Sequence, residues 1–257
     1  MTYKNIIVEK KKGYAIIRFN RAHEMNALSK EMRLEFNDAL LDVENDPEIR
    51  SLVITGGEYV FSAGMDIKEM SLLSNVEIDD YFESMKRYLK KIYTFPKPVI
   101  AAVGGIALGG GFNIVTVCDL IIASESAIFC HPELKFGLSP LFYPLSQIVG
   151  VNKAKEIAML GEPIGAREAE RIGLVNKVAP PEKFMQEAEK TAQTLAMRSA
   201  KAIEELKNIC AVVPRMDRIA ALDMELSIGG MLFARDERKI HMNEELFLKK
   251  LRKKKQS

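Results

Sequence analysis

Residues 96–112 read PKPVIAAVGGIALGGGF. Pro96 and Pro98 stop any helix before them, because proline lacks the N–H that a helix interior needs. Val99–Val103 follows as five apolar residues, the pattern of a strand buried on both faces. Gly104-Gly105 breaks that run, and Gly109-Gly110-Gly111 opens onto the apolar stretch Ile114–Val117, which reads as a helix. Strand, glycine turn and helix in this order predict an α/β core of stacked strands covered by helices. Three glycines ahead of a helix also leave backbone N–H groups bare at the positive end of its dipole. Such donors can stabilise a developing oxyanion by about 2.7–4 kcal/mol each. The same triplet also suits a tight packing turn between helix and strand.

The pattern extends on both sides. Residues 5–9 and 14–19 read as a hairpin across Lys10-Lys11-Lys12-Gly13. Ser29 is placed to cap a helix carrying Met32, Phe36, Leu40 and Val43, which Asn45-Asp46-Pro47 ends. Ser51–Thr55 is a short apolar strand closed by Gly56-Gly57, and FSAGMDIKEM at 61–70 is a strand end turning into a helix. Within the amphipathic span 77–95, Ile78, Phe82, Met85, Leu89 and Ile92 fall on one helical stripe, which predicts that this face is buried. Leu120–Ala123 is a third strand. From residue 142 the pattern is almost wholly helical, with a helix starting at Pro180-Pro181 and others near 199–210, 216–233 and 237–254. An α/β core over residues 1–195 and a helical region over 196–257 are therefore expected.

Composition narrows the chemistry. In 257 residues, 37 basic and 35 acidic side chains give a net charge of +2, which supplies no electrostatic case for nucleic acid. The basic run at 249–255 reads first as a solvated terminus. No stretch of 18 apolar residues is present, so no membrane span is expected, and MTYKNIIVEKKKGY lacks the apolar core of a signal peptide. Cys118, Cys130 and Cys210 form neither a disulfide framework nor a zinc pattern and suit a reducing cytoplasm. His23, His131 and His241 stand at no metal-ligand spacing, so no metal site is expected. G-x-G-x-x-G opening a helix, the phosphate loop and G-x-S-x-G are all missing. The two glycine-rich turns remain as the places where chemistry could sit.

Taken together, several segments resemble the enoyl-CoA hydratase/isomerase, or crotonase, family. They are Asn20-Arg21 with Asn26-Ala27-Leu28, FSAGMDIKEM at 61–70, PKPVIAAVGGIALGGGF at 96–112, CDLIIAS at 118–124, HPELKFGL at 131–138, and Gly165-Ala166-Arg167-Glu168-Ala169 with Gly173-Leu174-Val175. The resemblance implies a spiral of ββα units with a helical C-terminal region that helps build trimers, often paired into hexamers. It implies an acyl-CoA thioester as substrate and no cofactor beyond the coenzyme A that the substrate carries. The thioester carbonyl would lie between the N–H groups of Met65 and Gly110. Ala27, Ala63, Asp66, Ile67, Lys68, Gly109 and Asn113 would line the substrate, with Lys68 reaching a phosphate; an exposed lysine without that role reads nearly as well.

Typical hydratases of the family carry two glutamates. Here the second is Glu133, while Asn113 stands at the first, and an amide cannot accept a proton at neutral pH. The resemblance therefore points to an isomerase that converts 3-enoyl-CoA to 2-enoyl-CoA, with Glu133 removing a proton from C2 and returning it at C4. A hydratase acting on a 2-enoyl-CoA or cyclic dienoyl-CoA is the enzymatic alternative; a non-catalytic protein binding acyl-CoA or RNA is the other. Phe129, Leu134, Phe136, Leu138, Leu141, Phe142 and Tyr143 are expected to surround Glu133 with apolar material. His131 and Tyr143 flank it and read first as structural hydrogen-bonders.

Overall fold

The computed structural model describes residues 3–234, and the chain divides after Arg198 into two units. The first begins with the expected hairpin, β1 (Ile6–Lys11) and β2 (Tyr14–Phe19), paired from Ile6↔Phe19 to Lys11↔Tyr14. Lys12-Gly13 closes it, with Gly13 at φ 85°. The remaining strands are β3 (Ser51–Thr55), β4 (Val60–Ser62), β5 (Val99–Val103), β6 (Ile106–Leu108), β7 (Leu120–Ser124), β8 (Ile128–Cys130), β9 (Ile164–Gly165) and β10 (Lys177–Ala179). One sheet has the order β1-β2-β3-β5-β7-β10 and is parallel from β2 onward. The other has the order β4-β6-β8-β9, with β9 antiparallel to β8. Consecutive strands β3/β4, β5/β6 and β7/β8 send one member to each sheet, so the chain steps between two layers before returning.

The first of its helices, α1 (Lys30–Asn45), is capped by Ser29, whose hydroxyl accepts from the Met32 N–H. Its buried face holds the expected Met32, Phe36, Leu40 and Val43, and also Arg33. After α2 (Ile67–Met70), helix α3 (Asn75–Tyr93) starts in a capping box of Ser74 and Glu77. Its buried residues are Tyr81, Met85, Tyr88 and Ile92, whereas Phe82 and Ile78 are exposed. The expected stripe is thus turned. Tyr81 lies under the Arg33 guanidinium, 3.9 Å from the ring centroid, and Tyr88 meets Phe36 at 5.6 Å. A buried cation on α1 selects aromatic faces over aliphatic ones.

Helices α4 (Gly110–Thr116), α5 (Phe142–Val149), α6 (Val151–Leu160) and α7 (Ala166–Arg171) follow. Helix α8 (Phe184–Ala196) begins three residues later than Pro180-Pro181 suggests and lays Phe184, Ala188 and Ala192 against Ile16, Val53 and Ile100 of the first sheet. In the second unit, Ser199 caps α9 (Ala200–Val212) and Asp217 caps α10 (Arg218–Phe233). The helical stretch expected at 237–254 and the basic run at 249–255 lie outside the described residues. Among the described residues no helix is long and apolar enough to cross a membrane.

Candidate active site

The first glycine-rich turn is built from the end of β4. Ser62 Oγ donates to Asn26 O at 2.8 Å and accepts from the Gly64 N–H at 3.0 Å. Leu28 N–H then donates to Gly64 O at 2.8 Å, and Leu28 and Met65 form an isolated parallel bridge. Asn26 holds this arrangement together. It is fully buried at φ 50°, a left-handed conformation that asparagine tolerates better than most side chains. Its amide donates to Gly56 O, Val60 O and Phe61 O at 3.1, 3.0 and 3.2 Å, and its Oδ1 accepts from the Arg21 N–H at 2.9 Å.

The second turn is the triplet. Gly109 N–H donates to Cys130 O at 3.0 Å, tying the turn to the end of β8, and Gly109 takes φ 48°, ψ −117°. The two turns are in backbone contact. A Cβ on Gly64 would lie 2.8 Å from both Gly110 N and Leu108 O, and one on Gly110 would lie 3.5 Å from Met65 N. Gly110 is the first residue of α4, so its N–H has no acceptor within the helix. The Met65 N–H has no backbone acceptor among the described residues. Two uncommitted amide donors therefore stand side by side, which is what stabilising charge on one oxygen requires.

Glu133 follows β8 at the start of a four-residue 3₁₀ turn, Glu133–Phe136, and is the only residue of that turn that is buried. Its Oε1 would be 3.5 Å from a Cβ on Gly109, ordinary contact distance, so the carboxylate lies directly against the triplet turn. His131 Nδ1 lies 3.1 Å from Oε1 and 3.2 Å from Oε2. The His131 ring packs on Phe112, with centroids 4.5 Å apart. Asn113 is one helical turn beyond Gly109, whose carbonyl accepts its N–H at 2.8 Å. The Asn113 side chain is buried, and its Oδ1 has no partner among the described residues. A buried carbonyl oxygen of that kind is a ready acceptor for a hydroxyl or a water.

Met65, Gly109, Gly110 and Glu133 are thus brought together, with Asn113 on the same helix as the triplet. Ala27 and Ala63 are half-buried in the loops beside them. Asp66 is differently engaged: its carboxylate caps α2 through the Glu69 N–H and pairs with Arg21 at 3.3 Å. Ile67 and Lys68 are exposed, with Lys68 Nζ 4.0 Å from Glu24. Phe129 is buried against Phe112, and Leu138, Leu141 and Phe142 are half-buried. Leu134 and Phe136, by contrast, are exposed, as is Tyr143. The tight turn points its neighbours outward, so fewer apolar groups enclose the carboxylate than the sequence suggests.

Arg33 is the contributor that sequence reasoning misses. It donates to Leu28 O at 2.5 Å, to Ser84 Oγ at 2.8 Å and to Glu69 Oε1 at 3.0 Å, and Glu69 Oε2 accepts from the Lys30 N–H at 2.7 Å. These bonds lock the segments flanking Met65 to α1 and α3. A charged residue on an otherwise apolar helix stripe is the signal that could have identified it. Arg33→Ala removes a buried partner from Glu69 and from the Leu28 carbonyl, and is expected to cost about 3 kcal/mol in denaturant unfolding.

No group of histidine, cysteine, aspartate and glutamate side chains among the described residues could hold a metal ion. A family model described as enoyl-CoA hydratase/isomerase matches residues 9–255. The crotonyl-CoA hydratase of Syntrophomonas wolfei is 38% identical over 243 residues, covering 93% of this chain and 94% of that protein. The short-chain-enoyl-CoA hydratase of Clostridium acetobutylicum is 35% identical over the same length, covering 93% of each. Among solved structures, an enoyl-CoA hydratase from Bacillus anthracis superposes with a TM-score of 0.90 at 28% identity, over 96% of this chain and 97% of that one.

Proposed function

Because the chain belongs to the enoyl-CoA hydratase/isomerase family, we propose that it isomerises 3-enoyl-CoA to 2-enoyl-CoA with Glu133 as its single acid/base. The observation that carries this is one buried carboxylate beside the glycine triplet, with the amide of Asn113 on the adjoining helix. The thioester oxygen accepts from the Met65 and Gly110 N–H groups, which bind it more strongly as it gains charge. Glu133 takes the C2 proton, and the electrons of that C–H bond delocalise over the thioester and the C3–C4 double bond. The protonated Glu133 then returns the proton at C4, leaving the double bond between C2 and C3. Nothing is consumed, and Glu133 ends ionised.

The relatives' names favour a second reading. Both curated relatives above are named hydratases, and Asn113 Oδ1 is a free buried acceptor that could orient a water for attack at C3. Glu133 would then take a proton from the water and deliver one to C2. Two substrates separate the readings in the ultraviolet. Conjugation of trans-3-hexenoyl-CoA without hydration of crotonyl-CoA establishes the isomerase; rapid loss of crotonyl-CoA absorbance establishes the hydratase. Asn113→Glu installs the missing carboxylate, and is expected to raise crotonyl-CoA hydration by about tenfold or more in the same assay.

Coenzyme A enters this scheme only as part of the substrate, running along residues 63–68 with Lys68 toward its phosphates. The oligomerisation role falls to residues 196–257, as trimers or hexamers. Leu206, Leu222, Leu226, Met231 and Phe233 support it, each more than half exposed on α9 and α10. Sedimentation of the purified chain checks that assignment. Cys118, Cys130 and Cys210 form no disulfides with one another, which is compatible with work in the cytoplasm.

A further inference from the structure

We propose that His131 is a positioning residue for the base, holding the Glu133 carboxylate in place while leaving both of its oxygens usable by the substrate. The inference rests on the one-carboxylate scheme above. His131 is completely buried, and its ring is fixed by packing on Phe112 at 4.5 Å and 34°, with Phe112 itself 5.6 Å from Phe129. An ionised carboxylate only accepts hydrogen bonds, so the proton of the contact belongs to Nδ1. Nε2 is buried without a partner among the described residues. With Nε2 unengaged, the contact at Nδ1 is the ring's one polar tie to the site among the described residues.

The near-equal distances, 3.1 and 3.2 Å, put that N–H close to the bisector of the carboxylate. A donor aimed at one oxygen would occupy it; a shared donor prefers neither. Glu133 is thereby kept beside Gly109 yet can rock about the bond. One carboxylate that must collect a proton at C2 and deliver it at C4 needs this combination of a fixed site and a free choice of oxygen. Neighbouring backbone does not supply it. Pro132 has no N–H, and the Leu138 N–H is committed to the Glu133 carbonyl at 3.0 Å.

The test compares His131→Phe, which keeps a ring against Phe112 without a donor, with His131→Leu, a second donorless shape, and His131→Gln, which keeps a donor. Two quantities are read: exchange of the C2 protons of butyryl-CoA into D2O by NMR, and kcat and KM for trans-3-hexenoyl-CoA. Both donorless variants are expected to slow exchange and kcat by about 10- to 100-fold, with KM within about threefold, and His131→Gln to recover most of the loss. A donorless variant that exchanges at the wild-type rate overturns the proposal, as does a His131→Gln variant as slow as His131→Phe. Exchange reports on the base whatever the overall reaction. If the variants rank as expected in exchange while trans-3-hexenoyl-CoA is not isomerised, the isomerase assignment falls and the role of His131 stands.

Discussion

Glu133→Gln is expected to lose about 10²- to 10⁴-fold in turnover while still binding saturated acyl-CoA esters at close to wild-type affinity. Glutamine keeps the length of the side chain and a carbonyl oxygen facing the His131 Nδ1–H, so the packing around residue 133 is preserved. What it loses is the ability to accept a proton. The interaction removed is one that operates only in the transition state, so kcat and kcat/KM fall together and KM stays. Steady-state kinetics with trans-3-hexenoyl-CoA and calorimetric binding of butyryl-CoA measure the two halves. Unchanged turnover would remove Glu133 from the mechanism altogether. The variant does not by itself choose between isomerisation and hydration, since both draw on this carboxylate; the pair of substrates does that. Position 113 is what makes the choice informative, because Asn113 stands where the family resemblance implies a second glutamate.

Much of this site is legible in the sequence, for a physical reason. The residues that build it are those backbone geometry selects: glycines where two turns touch, and Asn26 in a left-handed conformation with its side-chain amide bonded to three backbone carbonyls and one backbone N–H. Such positions tolerate few side chains, so they stand out in order and spacing along the chain. The membership that the resemblance implied and the α/β character of the core are both found. Less legible is the second sheet. Strands β4, β6 and β8 have three residues each, too few for an alternation to declare itself. The buried face of α3 is hidden for another reason. Tyr81 and Tyr88 face inward because of Arg33 and Phe36, which lie some 50 residues earlier, and local periodicity carries no information about partners so distant. Arg33 shows in the sequence only as a charge on an apolar stripe, and its burial is explained once Ser84, Glu69 and the Leu28 carbonyl are seen to surround it. Likewise Leu134 and Phe136 are apolar in sequence, yet the 3₁₀ turn sends them to solvent.

Gly64→Ala is the second change expected to abolish most activity, and it acts without touching any side chain of the site. Gly64 has φ +92°, where an L-residue is strained at a cost of about 1–3 kcal/mol. The added Cβ would also lie 2.8 Å from Gly110 N and 2.8 Å from Leu108 O, both backbone atoms that cannot rotate away. Relief requires the Met65 turn and the start of α4 to separate, which pulls apart the two amides that would share the thioester oxygen. Losing one such donor costs about 10²- to 10³-fold in kcat, so a displacement of the pair is expected to cost at least about 10²-fold. Instability alone could mimic this, and Gly57→Ala supplies the control. Gly57 has a similar φ of +100°, and a Cβ added there would meet nothing within 4 Å, so alanine brings the strain without the collision. Both variants are expected to melt below the wild type, but only Gly64→Ala to lose turnover at a temperature where both are folded. If the two retain equal activity, charge on the thioester oxygen is not held by the Met65 and Gly110 amides, and the glycine triplet returns to being a packing turn.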